Sequence, residues 1–119
     1  MRTTSFRLIP VLIFSLLSPL ALAMGNNSTE SKTPDCPSGQ VYDSATQKCV
    51  PDKSSSLSDQ DKTNYAYHLA KKGEYQAALN LLDSLKNGNT AEAWNYRGFA
   101  TRKLGRTDEG ISYYQRALA

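Results

Sequence analysis

The chain has one histidine, one tryptophan and two cysteines among its 119 residues. A structural zinc site takes four ligands, and Cys36, Cys49 and His68 fall short of that, so no metal is expected. The cysteines lie too far apart for the C-x-x-C of a redox pair. There is no glycine-rich phosphate loop, no nucleophile motif around His68, and no carboxylate pair with a reason to be desolvated. We therefore expect no enzymatic activity and no cofactor, and read His68 as a surface or edge residue. Long hydrophobic runs are also missing. The one apolar stretch, Leu8 to Leu22, contains Pro10 and Pro19 and has no positive flank after it. It is shorter than the roughly 20 apolar residues of a spanning helix.

That stretch has another reading. Arg2 and Arg7 precede it, and Ala21-Leu22-Ala23 ends it. A basic start, an apolar middle and an A-x-A site make residues 1–23 a cleavable secretory signal peptide, and the protein periplasmic or secreted. No cysteine stands at the cleavage point to carry a lipid, and no stable membrane insertion is expected afterwards. The formal net charge is +3. Without Arg2 and Arg7, twelve basic residues face eleven acidic ones, a net +1 that gives nucleic acid or an anionic membrane little to bind.

Residues 24–35 are polar and read as a disordered spacer. Asn26-Asn27-Ser28-Thr29 holds two overlapping sequons, which act as acceptors in a host that glycosylates asparagine and are otherwise a polar tail. Residues 36–50 form a second element. Two cysteines in an exported chain most simply pair, so Cys36 and Cys49 are expected to form a disulfide. Val41-Tyr42 and Lys48-Cys49-Val50 predict two short strands around a turn at Asp43–Thr46. The closed loop would limit the unfolded chain by about 3 kcal/mol in the entropic account. A hairpin this small has almost no core of its own, so the bond should be what lets it fold. Residues 51–58, Ser-rich after Pro51, read as a flexible linker.

From residue 59 onward the chain echoes itself at a spacing of 32. Tyr67 falls on Phe99, Lys71 on Lys103, Gly73 on Gly105, Leu79 on Ile111 and Leu82 on Tyr114, while Ala66 and Ala78 fall on Gly98 and Gly110. Apolar periodicity predicts helices from about Asp59 to Lys72, Glu74 to Asn87, Ala91 to Leu104, and from near Thr107 onward. Ser58 or Asp59 should cap the first helix, and Asn89 with Glu92 the third. Gly73 and Gly105 should stop helices one and three. Ile111, Tyr114 and Leu118 are expected to face inward, and Trp94, Gly98, Leu79 and Ile111 to belong to the core. The fold class is thus all-α: two antiparallel helix hairpins, preceded by the disulfide-closed loop and the spacer.

Residues 91–118 resemble the tetratricopeptide repeat family. Trp94, Gly98, Tyr114 and Ala117 match its signature positions, and Gly105 its inter-helix turn. Arg97, Thr101 and Gly110 depart from it, standing where Leu, Tyr and Ala are usual; Gly110 would let helices approach closely. In the more degenerate first unit, 59–90, Lys62 replaces the Trp, and a period of 32 against about 34 implies a shorter connection at Asn87–Thr90. The 36–49 segment, between a signal peptide and repeats, resembles the amino-terminal part of small exported bacterial proteins of this family.

The resemblance implies a protein or peptide partner bound on the face of the first helix of each pair. Here that face carries Gln60, Thr63, Asn64, Tyr67 and Lys71, then Glu92, Asn95, Tyr96, Phe99 and Lys103. Asn64, Tyr67, Lys71, Asn95, Tyr96, Phe99 and Lys103 are the candidate partner-binding residues; the plainer reading is partly buried aromatics beside solvated lysines. The family's clamp for terminal carboxylates is not evident. Two units are few, since about three repeats or a cap are usually needed for stability, and no polar capping helix follows the fourth helix. Alternatives are self-association through an exposed repeat edge, a fragment of a longer array, or a cell-envelope binding module that uses the Cys36–Cys49 loop.

Overall fold

A computed structural model describes residues 33–119; the expected signal peptide and most of the spacer lie outside them. Strands β1 (Gln40–Asp43) and β2 (Lys48–Pro51) pair antiparallel, with Val41 opposite Val50 and Tyr42 opposite Cys49. The Asp43 carboxylate accepts from the Ala45 amide, and Gln47 takes the left-handed conformation that closes the turn. Cys36 and Cys49 are joined, with Cα atoms 5.6 Å apart. The hairpin borrows a core that it could not build. Val41 is buried in the cluster that also holds Tyr65 and Ala66, and the Tyr65 hydroxyl accepts from the Cys36 amide at 2.9 Å.

Residues 51–58 are more than a flexible linker, because Leu57 is among the most deeply buried side chains. Asp35, the last residue of the expected spacer, is also held. Its carboxylate receives Lys72 Nζ at 2.9 Å and lies 2.6 Å from His68 Nε2. The hydrogen bond from Lys72 keeps the Asp35 carboxyl below its ordinary pKa.

Four helices follow: α1 (Asp59–Lys71), α2 (Tyr75–Asp83), α3 (Ala91–Lys103) and α4 (Thr107–Leu118). Their starts repeat the 32-residue spacing: α1 with α3, α2 with α4. The chemistry of the ends repeats too. Ser58 caps α1 by accepting from the Asp61 amide, and Thr90 caps α3 by accepting from the Ala93 amide. Gly73 and Gly105 take φ of +85° and +89°, and each closes its helix with two backbone bonds, Gly73 N–H to Ala70 and Glu74 N–H to Leu69, then Gly105 N–H to Arg102 and Arg106 N–H to Thr101. Helix α1 packs on α2 and α3 on α4, while α3 also contacts α1 and α2.

Four expectations need correction. Asn89 does not cap α3; its side chain instead accepts from the Trp94 indole N–H at 2.9 Å. Helix α2 stops at Asp83 rather than Asn87, because partners from outside replace helical bonds. The Ser84 hydroxyl donates to Leu81 O, Arg97 donates to Leu82 O, and the Asp59 carboxylate takes the amides of Lys86 and Asn87. Ile111 and Leu118 do not face inward: they are 45% and 89% exposed, since no described element covers that side of α4. Trp94 is only partly buried, in a cleft described below.

The remaining core is built of small residues. Ala66, Ala78, Ala93 and Ala100 have no exposure; Leu81 and Leu82 share one cluster with the first three, and Leu79 is buried as well. Gly98 and Gly110 let α3 and α4 approach backbone to backbone: a Cβ on Gly110 would stand 2.8 Å from Gly98 O, and one on Gly98 would stand 2.6 Å from the Tyr114 ring. A carbonyl cannot swing aside as a side-chain tip can. Overpacking of this kind costs about 1–3 kcal/mol, against a gain near 1 kcal/mol in helix propensity. Gly110→Ala should therefore unfold at lower urea than the wild type; equal or greater stability would contradict the close approach.

Candidate functional site

Helices α1 and α3 lie side by side, and their shared outer face gathers most of the predicted site. Tyr67, 40% exposed, stacks on Tyr96 with centroids 4.8 Å apart and planes 20° from parallel. Lys71 Nζ lies 5.4 Å from the Tyr67 centroid, and Lys103 Nζ lies 5.7 Å from that of Phe99. Phe99 itself turns its edge towards Tyr75 of α2 and is half-buried. Gln60 donates to Asn64 and, at 3.5 Å, to Glu92, spanning the two helices. Asn64 and Asn95 are exposed, whereas Thr63 is buried and its hydroxyl donates to Asp59 O. The face is therefore an aromatic ridge edged by amides and two lysines. Such a surface offers area at little entropic cost, together with donors for a backbone or a carboxylate.

The Tyr96 hydroxyl donates to Glu92 Oε1 at 3.1 Å. Burial first, then the neighbouring Glu92 charge, pushes its pKa up to about 12. The Glu109 carboxylate, which accepts from the Tyr113 hydroxyl, raises that tyrosine as well.

The structure also holds a concavity that the sequence pattern does not outline. Between α2 and α4, with α3 as its floor, is a cleft of about 370 Å³. Leu79 and Asp83 line it from α2, Trp94, Arg97 and Thr101 from α3, and Glu109, Tyr113 and Arg116 from α4, with Arg106 at one end. Arg97 and Arg116 place their guanidinium carbons 4.6 and 4.7 Å from the indole centroid, and the Tyr113 ring lies 5.5 Å from it. Arg97 stands three residues after Trp94, where the motif that residues 91–118 resemble has Leu. Arg116 joins them only through the packing of α4 on α3.

Among the described residues no group of three or more His, Cys, Asp or Glu could hold a metal ion. No described helix is long and apolar enough to cross a membrane. No family model matches the chain, and no curated protein or solved structure is significantly similar to it.

Tyrosine titration tests the ridge. The protonated Tyr96 is favoured in the folded state, so this contribution to stability is full below the ordinary tyrosine pKa of 10.0 and is lost as pH rises through about 12. Followed by tyrosinate absorbance, the last of the seven tyrosines to ionise as pH rises should do so near pH 12 and be the one removed by Tyr96→Phe. A titration in which all seven ionise together near pH 10 would contradict the geometry.

Proposed function

We propose that this chain is an exported, non-enzymatic protein of tetratricopeptide type that binds a peptide or protein partner on the α1–α3 face. The observation that carries the reading is the Tyr67–Tyr96 stack, flanked by Lys71, Asn95, Phe99 and Lys103, on the two helices that repeat each other at a spacing of 32. Matching helix starts and matching glycine stops support the repeat assignment, and the Gly98–Gly110 approach supplies the close packing of small residues that such arrays use. The exposure of Asn64 and Asn95 beside the stack supports contact with an extended backbone, and Lys103 supports contact with a carboxylate. The Cys36–Cys49 disulfide is consistent with an oxidising compartment, which fits export to the periplasm or beyond.

Exposed Ile111 and Leu118 favour one further reading, in which the outer side of α4 joins another helix pair, including that of a second copy. The test of the main proposal is capture of partners from the exported protein fraction, comparing wild type with Tyr67→Ala and Lys71→Ala/Lys103→Ala. Partners held by the wild type and lost from both variants, with helical content unchanged, are the expected result. Capture that survives both changes would overturn the assignment of this face.

A further inference from the structure

The cleft between α2 and α4 has features that the α1–α3 face does not explain. It opens on the stripe Trp94, Arg97, Thr101 of α3, whereas the aromatic ridge uses Glu92, Tyr96, Phe99 and Lys103. At 3.6 residues per turn these stripes lie about 180° apart around the helix. Its tryptophan is fixed rather than adaptable, because the indole N–H is bound to Asn89 and both Arg97 and Arg116 lie within 5 Å of the ring centroid. Two cations crowd one ring.

Each acid that lines the cleft has a cationic neighbour other than Arg116. Arg97, 13% exposed, donates to Gly88 O at 3.0 Å and to Leu82 O at 2.9 Å, with its Nε 3.7 Å from Asp83. Glu109 accepts from the Tyr113 hydroxyl at 2.8 Å and lies 3.6 Å from Arg106. Among the described residues, Arg116 has no carboxylate within ion-pairing distance. A guanidinium resting on an aromatic ring keeps its edge N–H donors, whose fork matches a carboxylate. The accessible lining of the cleft is mainly polar, with the ring edges of Trp94 and Tyr113 beside that fork and Leu79 buried beneath. A volume of about 370 Å³ suits a small ligand and is far too small for a folded domain.

We infer that this cleft binds an organic carboxylate, either a free small molecule or the acidic side chain of a short peptide. The carboxylate pairs with Arg116, and the body of the ligand lies along the ring edges of Trp94 and Tyr113. Arg97 is a positioning residue that holds the indole and the α2–α3 turn.

Trp94, the single tryptophan, reports the site directly. The full chain is titrated with 3-phenylpropionate, with its amide, which lacks the charge, and with inorganic phosphate, which lacks the body. A saturable change in Trp94 emission is expected with the carboxylate, at least about tenfold weaker with the amide and with phosphate. Arg116→Gln should weaken carboxylate binding about tenfold, equivalent to 1.4 kcal/mol, and Arg116→Lys should weaken it less. Tyr67→Ala should leave it unchanged, which separates this site from the ridge. Displacement by a short oligoglutamate identifies a peptide source, and failure to displace identifies a small molecule. Unaltered affinity in Arg116→Gln, equal binding of phosphate, or no saturable response would overturn the inference.

Discussion

The arrangement depends on how the turn between α2 and α3, residues 84–90, is tied down. It belongs to no helix, and its polar backbone groups need partners. Side chains from α1 and α3 supply them. From α1, Asp59 takes the amides of Lys86 and Asn87, and Lys62 Nζ reaches Ser84 O at 3.4 Å. From α3, Arg97 donates to Leu82 O and Gly88 O. The bonds from the turn amides hold the Asp59 carboxyl below its ordinary pKa, so this tie weakens as pH falls through that lowered value. One short segment is thus gripped from two sides, and the grip fixes where α3 lies against α1 and α2.

Both surfaces inherit that placement. With α3 set beside α1, Tyr96 meets Tyr67, and Glu92 comes within reach of Gln60. The opposite stripe of α3 becomes the floor of the cleft, and Arg97 serves in both places: its donors hold the turn while its plane lies against Trp94. Where α2 ends at Asp83, the Leu82 carbonyl accepts from Arg97 as well as from the Leu85 amide. The Gly98–Gly110 approach then brings α4 close enough for Tyr113 and Arg116 to complete the wall.

What the sequence made legible is what local chemistry decides. Helix starts at Ser58 and near Thr107, stops at Gly73 and Gly105, the two strands and the Cys36–Cys49 pair all follow from a few neighbouring residues. Misplaced features depend on residues far apart in the chain. Asp59 acts on amides some 27 positions away, so nothing local announced that α2 would end early. Leu57 looked like linker in its serine context, and only the docking of the hairpin gives it a core. The ridge residues were identifiable as one helical face, but their pairing was not: Tyr67 stacks on Tyr96 rather than on its repeat counterpart Phe99, which turns to Tyr75. Trp94 has the character of a core residue, and the cations that surround it come from one turn further along α3 and from α4.

The most direct test replaces the grip from one side. In Arg97→Met the stem is kept and the donors to Leu82 O and Gly88 O are lost. Nuclear Overhauser contacts between the Tyr67 and Tyr96 rings, measured in this variant and in the wild type, report whether α3 still sits in register on α1. The account expects those contacts to weaken or vanish while the amides within α1 and α3 remain helical. Ring contacts of wild-type intensity in the variant would contradict it, and would mean that the small-residue core alone positions the helices.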